Sequence, residues 1–222
     1  VIEYINELKF TKEDVKFLKS KGIFDEGFLK YLENFKFTGT MHAVKEGTPV
    51  FPREPILTVV GPIIECQIIE TMLLLTINHQ SLIATKTARI VHAAKGRTVM
   101  EFGSRRAQGY DAANFGARAA YIAGAIGSAN TYTDRRFNIP ALGTMAHSYV
   151  QSFKSEYDAF LAYAKTYPKS SVFLVDTYST LGSGIPNAIK VAQDYLIPNG
   201  YRLKGIRIDS GDLTYLSKEA RK

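Results

Sequence analysis

Short segments at four places in the chain combine residue types that handle phosphates, carboxylates and protons: "EFGSRRAQG" (101–109), "GTMAHS" (143–148), "VDTYSTLGSG" (175–184) and "RIDSGD" (207–212). Between them they carry Arg105 and Arg106, His147, Asp176, Asp209 and many hydroxyl and glycine backbone donors. Guanidinium forks and loop N–H groups bind phosphate oxygens, and an imidazole accepts a proton or a phosphoryl group. The inventory suits a ligand with phosphates and a divalent metal. Simpler readings stand beside it. Adjacent arginines often pair with surface carboxylates, although Gly103, Ser104 and Gly109 would let an anion approach the backbone here. Asp176 and Asp209 could be helix N-caps, which explains an apolar strand emptying into "DSGD" less well. From spacing alone, His147 reads equally as a packing residue and as a functional one.

These groups need elements to hold them. Asp176 and Asp209 lie 33 residues apart, about one βα unit, and each follows an apolar run, "VFLV" or "GIRI". Both are therefore expected at the carboxyl edge of a sheet, where βα barrels and doubly wound sheets bind ligands. After Gly96 strand-like and helix-like texture alternates: "TVMEFG" strand, "AANFGARAAYIAGA" helix, "GSANTYTDRRFNIPALGT" strand and loop, "EYDAFLAYAKTY" helix, "SVFLVDTYS" strand, "IPNAIKVAQDYLIPNG" helix stopped by Gly200, "LKGIRIDSGD" strand and "LTYLSKEARK" helix.

Upstream, residues 3–35 predict two helices, the first capped by Thr11 and stopped at Gly22, and residues 36–62 a small antiparallel sheet broken by Gly and Pro. Residues 63–94 hold helical spacing without Gly or Pro; that is long for one globular helix, so a break is expected near Asn78. His42, His79 and His92 read as surface or packing residues. The division expected is a helical and antiparallel-sheet domain over 1–96, with its long connecting helix, and a βα domain over 97–222.

Composition narrows the class. With 45% apolar and 22% charged residues among 222, the chain has the composition of an ordinary soluble globular protein, and the strand–helix alternation makes its class α/β. Cys66 is the single cysteine, which excludes an intrachain disulfide and suggests a reducing, cytoplasmic setting. The longest apolar run, "MLLLTI", falls far short of the roughly 20 residues of a membrane span. The net charge of +7 allows nucleic acid or a small polyanion. The basic residues are scattered and not interleaved with aromatics, so phosphorylated small ligands are favoured over a nucleic-acid-binding module. Lys190 and Lys204 do not follow strands, which argues against a Schiff-base aldolase. The chain starts at Val1 and stops within the helix-like "YLSKEARK", so it reads as a piece of a longer protein.

Taken together and in order, these segments resemble the motifs of nicotinate phosphoribosyltransferases. The likeness extends back through "ETMLLLTINHQSLIATKTARI" and "GTPVFPREPILTVVGP" to about Phe37. The resemblance implies an enzyme that joins nicotinate to phosphoribosyl pyrophosphate, releases pyrophosphate and forms nicotinate mononucleotide for NAD salvage. It also implies Mg²⁺ on the pyrophosphate and coupling to ATP hydrolysis through a transiently phosphorylated histidine, which is His147 by its place in "GTMAHS". Asp209 joins His147 as a catalytic candidate. Phe102 would stack on the pyridine, Arg105 would contact phosphate or carboxylate, and Thr144 and Arg207 would lie near nicotinate. Asp176 and Asp209 would face ribose hydroxyls or metal-bound pyrophosphate, and Ser148 would leave room for a phosphate. No residue is assigned as a metal ligand.

The fold implied is a small α/β domain with an antiparallel sheet, followed by an irregular βα barrel of the type II phosphoribosyltransferase kind, with sites completed across a homodimer. An N-terminal aromatic segment and later barrel strands with a glycine-rich phosphate loop have no counterpart in these residues. The barrel is thus expected to be incomplete and the chain alone inactive. Relatives acting on nicotinamide or quinolinate are the alternative; neither nucleic acid nor a membrane is expected as a partner.

Overall fold

The computed structural model describes residues 1–222. It opens with helices α1 (Ile2–Glu7), α2 (Lys12–Ser20) and α3 (Glu26–Glu33). Thr11 and Asp14 form a reciprocal capping box on α2, and Asp25 caps α3 through the Phe28 N–H, so two orphan helix ends are satisfied locally. Between them Gly22 turns the chain at φ 68°, a left-handed conformation that favours glycine. The apolar stripes of α2 and α3 meet in a cluster of Val15, Leu29, Leu32 and Phe35. Strands β1 (Thr40–Ala43) and β2 (Leu57–Val60) then pair antiparallel, Thr40 opposite Val60, as the Gly- and Pro-broken stretch predicts.

Helix α4 runs unbroken from Ile63 to Ala93, 31 residues, so the expected break near Asn78 does not occur. No Gly or Pro interrupts its hydrogen-bond ladder, and helix α5 (Tyr110–Ile122) packs along it. Gly116 of α5 faces His79 and Ile83 of α4. His79 also bonds the Ala112 carbonyl through Nε2 at 3.0 Å, the packing role its sequence context suggests.

A second difference lies at "GSANTYTDRRFNIPALGT". Instead of strand and loop alone, it contains helix α6 (Thr131–Phe137). The Asn130 side chain accepts the Tyr132 N–H at the start, and Asn138 closes the helix in a left-handed conformation. Arg136 stacks over the Phe115 ring at 5.3 Å, so local caps and packing outweigh the strand preference of Thr and Tyr. Extended backbone survives here as parallel bridges from Glu101 to Ser128 and from Ser128 to Ala141. Packing of α5 on α4 and the Arg118–Glu46 ion pair keep residues 97–142 with the preceding elements. By compactness the chain forms two units, Val1–Leu142 and Gly143–Lys222.

The second unit contains α7 (His147–Gln151), α8 (Glu156–Thr166), β3 (Val172–Leu174), α9 (Ile185–Val191), β4 (Gly205–Arg207) and α10 (Leu213–Glu219). Strands β3 and β4 are parallel, with α9 in the connection between them. After α9 the chain coils on through wider and tighter turns until Gly200, at φ 79°, stops it. Phe160 of α8 stacks on Phe173 of β3 with centroids 4.8 Å apart, and Val150, Val175, Val191 and Leu196 complete a fully buried core. Each such side chain contributes about 1.5–3 kcal/mol by leaving water. That core holds the ends of both strands in place. Both sheets of the chain are two-stranded and neither closes into a barrel, in line with the incomplete barrel expected. No helix is long and apolar enough to cross a membrane.

Candidate functional site

Register decides where the two aspartates meet. Leu174 of β3 lies opposite Arg207 of β4, and the Val175 N–H continues the ladder to the Arg207 carbonyl at 3.1 Å. Two residues beyond each paired position stand Asp176 and Asp209, together past the carboxyl end of the strands. Neither is a helix cap. Asp212 caps α10 by accepting the Tyr215 N–H, and Ser179 caps the turn after β3 by accepting the Gly182 N–H. The capping alternative is therefore set aside for both aspartates.

The Asp176 side chain is 2% exposed and has three polar partners, His147, Ser210 and the Asp209 backbone. Its Oδ2 accepts the Ser210 hydroxyl at 2.6 Å and the Asp209 N–H at 2.9 Å, while its Oδ1 lies 3.1 Å from His147 Nε2. Burial pushes the Asp176 carboxyl up, but the Ser210 hydroxyl, the Asp209 N–H and His147 outweigh it and hold the group below the usual carboxylate range. Asp176 is thus an anion at neutral pH. An anion facing Nε2 of His147 favours the tautomer that carries its proton there, and in that tautomer Nδ1 keeps the lone pair. His147 opens α7 and its side chain is 37% exposed, enough for a ligand to reach.

Arg207 ties the remaining pieces together. Its Nη1 donates to Thr144 Oγ1 at 2.8 Å and to the Met145 carbonyl at 3.2 Å, and its Nη2 meets Asp209 Oδ1 at 3.1 Å. The fork fixes the segment leading into His147 against the end of β4. The second unit thereby brings Thr144, His147, Asp176, Arg207 and Asp209 into one constellation. Ser148 is the exposed residue after His147 in the first turn of α7.

Phe102 and Arg105 belong to the first unit. Glu101 organises their turn: its carboxylate accepts the Gly103 N–H and the Ser128 hydroxyl, while its backbone bonds Gly127 and Ala129. Phe102 is half-buried, and Ser104–Arg106 form a single tight helical turn with both arginines exposed. Neither arginine forms a salt bridge, so the surface-pairing alternative is not what the structure displays.

Glycine shapes the loop between Asp176 and α9. A Cβ on Gly184 would overlap the Val175 carbonyl oxygen, so the turn folds directly back onto the end of β3. Two contributors escaped the sequence reading, Ser210 and Glu101. Each sits inside a segment already singled out, but its role depends on a hydrogen bond across the chain. No three His, Cys, Asp or Glu side chains converge as metal donors, and both Asp176 oxygens are already taken by protein donors.

Residues 1–78 match the nicotinate phosphoribosyltransferase N-terminal domain, and residues 98–222 match the nicotinate phosphoribosyltransferase family. The nicotinate phosphoribosyltransferase of Bacillus subtilis is 50% identical over 223 residues, covering 100% of this chain and 44% of that protein. One from Mycobacterium tuberculosis is 45% identical over 221 residues, covering 100% of this chain and 47% of its own. Among solved structures, human nicotinic acid phosphoribosyltransferase matches with a TM-score of 0.90 and 31% identity, over 99% of this chain and 54% of that one. Nicotinate-nucleotide pyrophosphorylase from Pyrococcus furiosus matches with a TM-score of 0.70 and 27% identity, over 82% and 46%. The chain spans about half the length of the curated relatives it matches.

Proposed function

The chain belongs to the nicotinate phosphoribosyltransferase family, and from that premise we propose that it serves the transfer of a phosphoribosyl group to nicotinate in NAD salvage. The pyridine nitrogen of nicotinate attacks C1 of phosphoribosyl pyrophosphate, the C1–O bond breaks, and pyrophosphate leaves with the bonding electrons. The sugar is cation-like at the transition state, so positioning and stabilisation of the leaving group supply most of the acceleration. Arg105 is suited to phosphate or carboxylate oxygens, Phe102 to stacking on the pyridine, and Thr144 with Arg207 to the nicotinate. Ser148 borders the space for a phosphate. Asp209 faces the ribose hydroxyls or the pyrophosphate.

The observation that carries the reading is the His147–Asp176 pair at the carboxyl edge of β3 and β4. We assign ATP coupling to it. With Nε2–H held by Asp176, Nδ1 of His147 attacks the γ-phosphorus of ATP, ADP departs, and water later cleaves the phosphohistidine to release inorganic phosphate. Mg²⁺, when bound with the phosphorylated substrates, would supply charge neutralisation for the leaving group. Because the chain spans about half the length of its relatives, the complete site is assigned to the full-length protein. We take that protein to be a cytoplasmic homodimer, and the 222 residues alone to be inactive.

The test is incubation of the full-length protein with γ-labelled ATP, followed by mapping of acid-labile label. Label on His147 is expected, and its absence there refutes the coupling. Parallel assays with nicotinate, nicotinamide and quinolinate are expected to give a product with nicotinate.

A further inference from the structure

We propose that Ser210 is a positioning residue for the phosphoryl-transfer step: with the Asp209 N–H, its hydroxyl pins one oxygen of Asp176 so that the other orients His147. The step itself rests on the function proposed above; the positioning rests on geometry alone.

A carboxylate held at one oxygen by a single donor can still rotate about its Cβ–Cγ bond. Here Oδ2 of Asp176 receives two donors from different directions, the Ser210 hydroxyl at 2.6 Å and the Asp209 N–H at 2.9 Å. With that oxygen fixed, Oδ1 is held 3.1 Å from His147 Nε2 and dictates which ring nitrogen bears the proton. A buried carboxylate cannot replace a lost partner from bulk water, and this side chain is 2% exposed.

The turn is shaped to deliver both donors to one face. Gly211 follows Ser210 at φ 78°, where a side chain would be strained, and Asp212 anchors the far side by capping α10. Asp209 spends its own carboxylate on Arg207 and contributes only its backbone to Asp176. The serine is therefore the side chain in this turn that acts on the histidine's partner. Ser210 is an exposed residue, so removing its hydroxyl opens no core cavity.

The experiment compares Ser210→Ala and Ser210→Thr with wild type in the full-length protein. Two readouts are taken: the ¹⁵N shifts of the His147 ring, which report its tautomer, and the rate of labelling by γ-labelled ATP. Ser210→Ala is expected to mix the His147 tautomers and slow labelling about 10- to 100-fold, with KM for nicotinate within about twofold of wild type. Ser210→Thr keeps the hydroxyl and is expected to restore both. A Ser210→Ala protein with wild-type ring shifts and labelling rate overturns the proposal, as does a Ser210→Thr protein that stays at the Ala level. If wild type takes no label, the phosphohistidine reading fails, and the ring shifts still decide whether Ser210 orients His147.

Discussion

Asp176 and Asp209 hold equivalent places just past the ends of paired parallel strands, yet the Asp209 N–H donates to Asp176 Oδ2 at 2.9 Å while the two carboxylates face different partners. Asp176 is buried and committed to His147 and Ser210. Asp209 is 34% exposed and reaches Arg207. One strand-end repeat thus gives two unlike tools: an anion that orients an imidazole, and an anion that remains accessible to a ligand.

That division predicts unlike mutants. Asp176→Asn presents an amide where His147 Nε2–H needs an acceptor, which disfavours the tautomer with a free Nδ1. Labelling of His147 in the full-length protein is expected to fall on the order of 10³-fold or more. Asp209→Asn keeps its backbone N–H on Asp176, so labelling is expected to persist within a few-fold while transfer to nicotinate falls. Equal loss of labelling in both variants contradicts the division of roles.

Acid should dissolve the same arrangement. The folded Asp176 carboxyl lies below its ordinary value of 3.8, the value it regains in the unfolded chain. An ionised group stabilised in this way contributes its full stability above that ordinary value and loses it as pH falls through the lower folded value. Urea midpoints of wild type and Asp176→Asn should therefore differ at neutral pH and converge below about pH 3.8. A gap that stays constant to the lowest pH at which both proteins fold contradicts it.

How much of this was legible in the sequence depended on the range of the interaction. β3 and β4 announced themselves as apolar runs, and their parallel pairing placed Asp176 and Asp209 at one edge because the side-chain pattern and the βα spacing agree. α6 lies where the sequence reads as strand and loop, because the caps Asn130 and Asn138 count only once Arg136 has Phe115 to stack on. α4 was expected to break on length alone, although it contains no Gly or Pro to break it. Ser210 was invisible as a positioning group because its partner lies 34 residues away and is reached only through the turn at Gly211.

Gly184 separates backbone freedom from space. Its φ of −59° and ψ of −53° are helical, so propensity alone would make Gly184→Ala stabilising by about 1 kcal/mol. The added Cβ instead falls on the Val175 carbonyl oxygen, which is fixed by the strand. We expect net destabilisation of roughly 1–3 kcal/mol or more, read as a lowered urea midpoint. Gly205→Ala, where a Cβ meets nothing within 4 Å, is the control and should leave the midpoint nearly unchanged. A Gly184→Ala protein as stable as wild type shows that the loop yields.

Arg207 is the last test, because its role depends on a fork. Nη1 serves Thr144 Oγ1 and the Met145 carbonyl, and Nη2 serves Asp209. A lysine keeps the charge but has one nitrogen, which cannot reach Asp209 and the Thr144–Met145 segment in the same geometry. In Arg207→Lys the segment before His147 loses its tie to β4, and hydrogen bonds to a charged group are each worth about 1.5–3 kcal/mol. KM for nicotinate in the full-length protein is expected to rise about 10-fold or more, since Thr144 and Arg207 are both assigned to that substrate. The His147 tautomer should stay as in wild type, because Asp176 and Ser210 are untouched. A wild-type KM in Arg207→Lys removes Arg207 from the nicotinate site and leaves it a structural tie.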